Sequence, residues 1–175
     1  MAVNSTHPDY EASALDWSRA RDVLAGEDAI KAAGEKYLAR LDSQTDSDFD
    51  AYCRRASFFN ATSRTAEGYV GLIFRRAPFL KLPEGRVHGT GSRAHKPRGL
   101  TAALRQFADD ADMLGSTLAA YARDVAWEIM GVGRAGTLID WEGEVENRAY
   151  ASLYSAEQIL NWRVNGSMAG TSRRS

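Results

Sequence analysis

Residues 83–99 read Pro-Glu-Gly-Arg-Val-His-Gly-Thr-Gly-Ser-Arg-Ala-His-Lys-Pro-Arg-Gly and offer almost nothing that a folded interior can bury. Six Gly or Pro positions in that stretch work against both helix and strand. Any core must come from the residues on either side, so the segment is expected to be a long, flexible, basic loop inside one domain.

The flanking text can supply that core. With 44% hydrophobic and 26% charged residues, the 175-residue chain has globular composition, which argues against disorder, a fibrous rod or a disulfide-stapled miniprotein. A lone cysteine, Cys53, excludes an internal disulfide and a multi-cysteine zinc site and fits a reducing compartment. The first thirty residues carry charges throughout and no apolar run, and no stretch approaches the ~20 apolar residues of a membrane helix. The expectation is a soluble intracellular protein without membrane contact.

Charge is distributed in blocks. Residues 1–50 hold five basic and eleven acidic side chains, 51–100 ten and two, and 101–150 four and nine. Such blocks neutralise one another within a fold, or complement a second copy head to tail.

Apolar spacing predicts helices over 10–25, with Asp9 as cap and Gly26 as stop, and over 27–41, despite Gly34. A loop from Asp42 leads to a short helix at 47–56. Polar cap chemistry in the run Phe58-Phe59-Asn60-Ala61-Thr62-Ser63-Arg64-Thr65, just after its aromatic pair, accompanies a helix over 63–75, broad enough in its apolar side to be buried on most faces, with Gly68 and Gly71 open to close backbone approach. Helices at 100–111 and from Ser116 or Thr117 to Met130 follow, the latter ended by Gly131 and Gly133. Thr137–Trp141 is the clearest strand, with Leu138 or Trp141 capping the preceding helix, and Ser155 caps a short helix containing Ala156, Ile159 and Leu160. The fold class is α+β, mainly α: amphipathic helices with a small β element. Residues 164–175 are expected to form a disordered tail.

No catalytic constellation emerges. His88 and His95 lie seven residues apart in a glycine-rich loop, which matches no usual metal-ligand spacing, and Asp109, Asp110 and Asp112, even with Glu142, Glu144 and Glu146, lack the spacing of a calcium loop and read as a solvated helix end. Gly89-Thr90-Gly91 has neither a preceding strand nor a Gly-Lys-Ser/Thr ending, so it is no phosphate loop. Cys53 beside Arg54 and Arg55 reads as a small core residue. Neither enzyme activity, metal nor cofactor is expected. A basic run of Arg54, Arg55, Arg64, Arg75, Arg76, Lys81, Arg86, Arg93, Lys96 and Arg98 is compatible with contacts to DNA or to an assembly partner. The interleaved Phe58, Phe59, Tyr69, Phe74 and Phe79 fall on helical apolar stripes, which assigns them to the core.

The ordered motifs resemble a known family. His7-Pro8-x-Tyr10, Trp17, Ala33-Gly34-x-x-Tyr37-Leu38, and Tyr52-x-x-Arg55-Ala56-x-Phe58-x-Asn60-x-Thr62-x-Arg64-Thr65 run in the order seen in portal-like proteins of tailed phages and prophages. So do Gly68-x-Val70-Gly71-x-Ile73-Phe74-Arg75, Asp112-x-x-Gly115-x-x-Leu118, Gly131-x-Gly133-Arg134-x-Gly136-x-Leu138-x-Asp140 and Tyr154-x-Ala156-Glu157-x-Ile159-x-Asn161-Trp162-Arg163. The resemblance covers residues 7–163 and implies a wing-like domain over 1–163, the amino-terminal portion of a head–tail connector whose stem and clip would lie beyond residue 175. The 83–99 loop stands as an insertion relative to the family, and the pattern is lost after Arg163.

What the resemblance implies is a structural subunit, or a fragment of one, of the ring through which DNA is packaged and to which the tail attaches. Its partners would be copies of itself or full-length portal subunits, with capsid, terminase and tail-adaptor proteins, and double-stranded DNA only weakly. Its location would be the virion, and the host cytoplasm before assembly. The alternative class is a small helical DNA-binding or regulatory protein of a mobile element that uses the basic 51–100 segment.

Overall fold

Helix ends in this chain are set by side chains that satisfy the first free backbone N–H groups. The computed structural model describes residues 5–81 and 98–162, with 98–101 described by backbone alone. Its elements are α1 (Pro8–Ala25), α2 (Glu27–Ala32), α3 (Asp46–Arg55), α4 (Ala61–Ile73), α5 (Arg98–Asp109), α6 (Leu118–Val132), β1 (Ala135–Glu142) and β2 (Arg148–Ser155). Single 3-10 turns occupy Gly34–Lys36 and Ala156–Gln158. The fold is therefore α+β and mainly α, its β element one antiparallel hairpin.

His7, not Asp9, caps α1: its Nδ1 accepts from the Asp9 N–H, and Pro8 fills the first helical position, where no N–H is needed. Thr45 and Asp48 form a reciprocal capping box at α3. Asn60 caps α4 through Oδ1 and ties it to α1 by donating from Nδ2 to the Val23 carbonyl at 2.7 Å. Thr117 caps α6, and Gly133, left-handed at φ 78, closes it.

Three helical expectations are corrected. The predicted 27–41 helix stops at Ala32 because Gly34 adopts φ +53, outside the helical region, and Leu41 is left exposed. The helix predicted over 63–75 spans Ala61–Ile73 and is buried on one narrow stripe only: Ala66 and Val70 are inside, whereas Tyr69, Leu72 and Ile73 face out. Among the described residues, no atom beyond neighbouring residues and the helix's own backbone lies within 4 Å of where a Cβ would stand on Gly68 or Gly71. The close approach falls at Gly131, where such a Cβ would meet Leu24 Cδ1 at 2.7 Å across the α1–α6 contact.

The best-enclosed cluster is Ala111, Tyr121 and Ala151, with Phe107, Leu118, Val125 and Leu153 packed against it. It joins the end of α5, α6 and β2. Ile129, expected inside, is 47% exposed. Leu138 and Trp141 are also about half exposed and do not cap α6. Instead the Tyr121 hydroxyl donates to Thr137 Oγ1 at 3.0 Å.

The second strand was not expected from the sequence. Its register sets Thr137 opposite Leu153, Ile139 opposite Ala151 and Glu142 opposite Arg148. The other edge of β2 is occupied: the Ala151 N–H donates to the Ala111 carbonyl at 2.7 Å, and the Arg148 guanidinium reaches the Asp110 carbonyl and carboxylate, both at 2.6 Å. The helix expected after Ser155 is a single turn through Gln158, leaving Ile159 and Leu160 outside it. Most of the 83–99 loop and the 164–175 tail lie outside the described residues, although Arg98 and Gly99 belong to α5 and not to a loop.

Candidate functional site

Two arrangements stand out: a clamp that closes the chain on itself, and apolar surfaces that the fold leaves open.

The clamp gathers side chains far apart in sequence. Arg134, just past α6, holds its guanidinium 3.8 Å from the centre of the Trp162 ring and 5.8 Å from that of Trp17 on α1. His7 stacks on Trp162 at 4.0 Å, and Tyr10 meets Trp17 edge to face at 5.3 Å. Backbone contacts reinforce the closure: the His7 N–H donates to the Leu160 carbonyl, and the Tyr10 hydroxyl donates to that of Glu157. Beside it Arg21 forks between two carboxylates, reaching Glu128 at 2.6 and 3.0 Å and Glu157 at 2.8 and 3.0 Å. The Glu157 carboxyl is drawn down to about 2, chiefly by its hydrogen bonds from Arg21, and Arg21 is held further above its already high value by Glu157 and then Glu128. His7-Pro8-x-Tyr10, Trp17, Gly133-Arg134, Glu157 and Asn161-Trp162, which carry part of the resemblance, converge on this clamp.

Acidic residues singled out in the sequence serve local structure. Asp110 accepts from the Gly115 N–H and pairs with Arg148, while Asp112 accepts from the Leu114 and Ser116 N–H groups, so this is an ordered turn and not merely a solvated helix end. The Glu142 carboxylate accepts from the four N–H groups of residues 144–147 and is held at about 2 by those bonds. It shapes the hairpin turn. Among the described residues no three His, Cys, Asp or Glu side chains come together in a way that could hold a metal ion, and no helix is long and apolar enough to cross a membrane. Cavities of about 230 and 250 Å³, near Tyr37 and near Trp127, fall below the ~300–1,000 Å³ usual for small-molecule sites.

Among the described residues the basic candidates are spread over the end of α3 and both ends of α4. Arg54 and Arg55 are exposed at the end of α3, and Arg64 is exposed in the first turns of α4, its guanidinium 4.9 Å from the Phe59 ring centre. Arg75 and Arg76 follow the other end of α4, roughly 16 Å farther along the axis at 1.5 Å per residue. Lys81 is exposed. Arg86, Arg93, Lys96, His88, His95 and the Gly89-Thr90-Gly91 fragment lie outside the described residues, and Arg98 is placed by backbone alone. The assignment of all the interleaved aromatics to the core is corrected: Phe59 is 71% exposed, Tyr69 54% and Phe79 91%.

Exposed apolar surface is the second arrangement. Among the described residues, nine hydrophobic side chains are buried, four of them alanines, against sixteen large ones left exposed. Eight of the sixteen lie on the outer side of α4 (Tyr69, Leu72, Ile73), on the segment after it (Phe79, Leu80) and on β1 (Leu138, Ile139, Trp141).

Comparison with protein-family models and with curated proteins gave no match.

Proposed function

We propose that this chain is a structural subunit, or a portion of one, of a phage or prophage head–tail connector resembling the portal wing, and that it acts through surfaces and not as an enzyme. One observation carries the reading: large apolar side chains are exposed in sets on α4 and β1 while, among the described residues, few large ones are buried. A monomer gains nothing from such surface, whereas a ring subunit covers it with its neighbours. The clamp suits the same role. It draws the 157–162 segment onto α1 with stacked rings and a three-residue ion network, giving a subunit that keeps its shape under load.

On this reading the partners are further copies or full-length portal subunits, and capsid, terminase and tail-adaptor proteins, in the host cytoplasm before assembly and in the virion afterwards. The alternative, nucleic-acid binding by a mobile-element protein, is favoured by exposed Arg64 over exposed Phe59, a pairing able to contact phosphate and stack a base. Electron microscopy of the purified chain beside salt-dependent DNA shift assays separates the two. Ring or arc-shaped particles support the connector, and DNA complexes of a monomer or dimer support the alternative.

A further inference from the structure

The free edge of β1 is open at Ile139, while the next outward N–H, that of Trp141, donates to Asp140 Oδ1 at 2.8 Å. Because the Ala151 N–H turns away from β1 to the Ala111 carbonyl, the facing pair Ile139 and Ala151 does not exchange ladder bonds, so the Ile139 N–H and C=O point out from the free edge. No described residue pairs with them. Ile139 and Trp141 share one face of this edge and Leu138 lies on the other, all about half exposed. A long apolar edge left open is a template for another strand.

We propose that the segment Ala77–Lys81 of a second copy adds to this edge, antiparallel to β1 with Phe79 opposite Ile139, building a head-to-tail contact. The inference rests on the assembly reading above and names its contact. Four observations select this occupant. The segment has no helix or strand of its own, and it carries Phe79, 91% exposed, and Leu80, 49% exposed. In the stated register Phe79 joins Ile139 on one face and Leu80 joins Leu138 on the other, so both exposed pairs are covered. Pro78, which lacks an N–H, falls on the side that makes no ladder bond, as a proline in an added strand must. Finally, Arg76 comes opposite Glu142, with Asp140 and Glu144 nearby, and Arg75, Arg76 and Lys81 have no ion-pair partner among the described residues. Basic segment meets acidic edge, as the blocks of charge anticipate. The contact is heterologous, so repeating it generates a ring or an open filament.

Facing residues of a hydrogen-bonded antiparallel pair lie about 5.5 Å apart at Cα, within disulfide range. In a Cys53→Ala background, Phe79→Cys and Ile139→Cys are made as separate full-length chains, mixed and oxidised mildly. The expected result is a disulfide-linked dimer in the mixture, at least several-fold above either chain alone and reduced when salt is raised to about 0.5 M. No dimer in the mixture, or an Ile139→Cys chain that links to itself equally well, overturns the proposal. Sedimentation of the unsubstituted chain runs in parallel. Association without the 79–139 link overturns this contact and leaves the connector reading standing, whereas a monomer at every concentration removes both.

Discussion

The Arg134 guanidinium stands 3.8 Å from the centre of the Trp162 ring, joining the end of α6 to the last described residues of the chain. With His7 on the same ring and Trp17 close to the same guanidinium, this pair is the hub of the closure. A double-mutant cycle on Arg134→Gln and Trp162→Leu is expected to give a coupling of about 1 kcal/mol by urea unfolding, the worth of a partly desolvated cation–π contact. Strict additivity would show that the two side chains are neighbours without mutual stabilisation.

Glu157 sets an acid limit. Its carboxyl lies at about 2 in the folded chain against an ordinary 4.5. A lowered folded value means that the unfolded chain takes up the proton first, so the stabilisation is complete above about pH 4.5 and is lost as the pH falls toward 2. With 36% of the side chain exposed, solvent screening trims the contribution to about 1 kcal/mol. The stability gap between the unsubstituted chain and Glu157→Gln should therefore close over that window in a pH series of unfolding curves. A constant gap would mean that the Arg21 contact does not depend on the charge of Glu157.

Val125 and Ile129, one helical turn apart on α6, are expected to respond differently. Val125 packs on the Tyr121 cluster, whereas Ile129 is 47% exposed. Val125→Asp places a charge without a partner beside apolar atoms and should cost about 3 kcal/mol, enough to unfold a marginal domain. Ile129→Asp should cost well under ~1 kcal/mol. Equal losses on thermal unfolding would contradict this placement of the core.

Leu72 and Ile73 lie on the outer side of α4 and contribute little to the isolated fold. Leu72→Lys with Ile73→Lys is expected to leave the melting temperature within a few degrees and to lower self-association by sedimentation. A large fall in melting temperature would place this face inside the subunit.

Much of the helical framework was legible because cap residues and apolar spacing are local signals. Asn60 and Thr117 each begin a helix for reasons contained within four residues, whereas the cap of α1 is His7 and not the expected Asp9. The second strand was not legible, since Ala149, Ala151 and Ser152 have little strand preference of their own and gain it from β1 on one side and Ala111 on the other. Gly34 was visible, but whether it would cost a helix some stability or end it depends on a positive φ that composition does not specify. At the site, a stripe of apolar residues on α4 looks the same in sequence whether its partner belongs to the same chain or to another. The breadth of that stripe therefore predicts burial on most faces, where the structure exposes Tyr69, Leu72 and Ile73. The clamp was invisible because Arg21 and Glu157 are separated by 136 residues.

Sedimentation and negative-stain microscopy of the purified chain over a concentration series, with a DNA shift assay between about 50 and 200 mM salt, test the assembly role most directly. The expected result is an average mass that rises with concentration into arcs or short head-to-tail oligomers, and DNA binding that is weak and fades steeply with salt. A strict monomer that holds DNA tightly, selectively and independently of salt would contradict it.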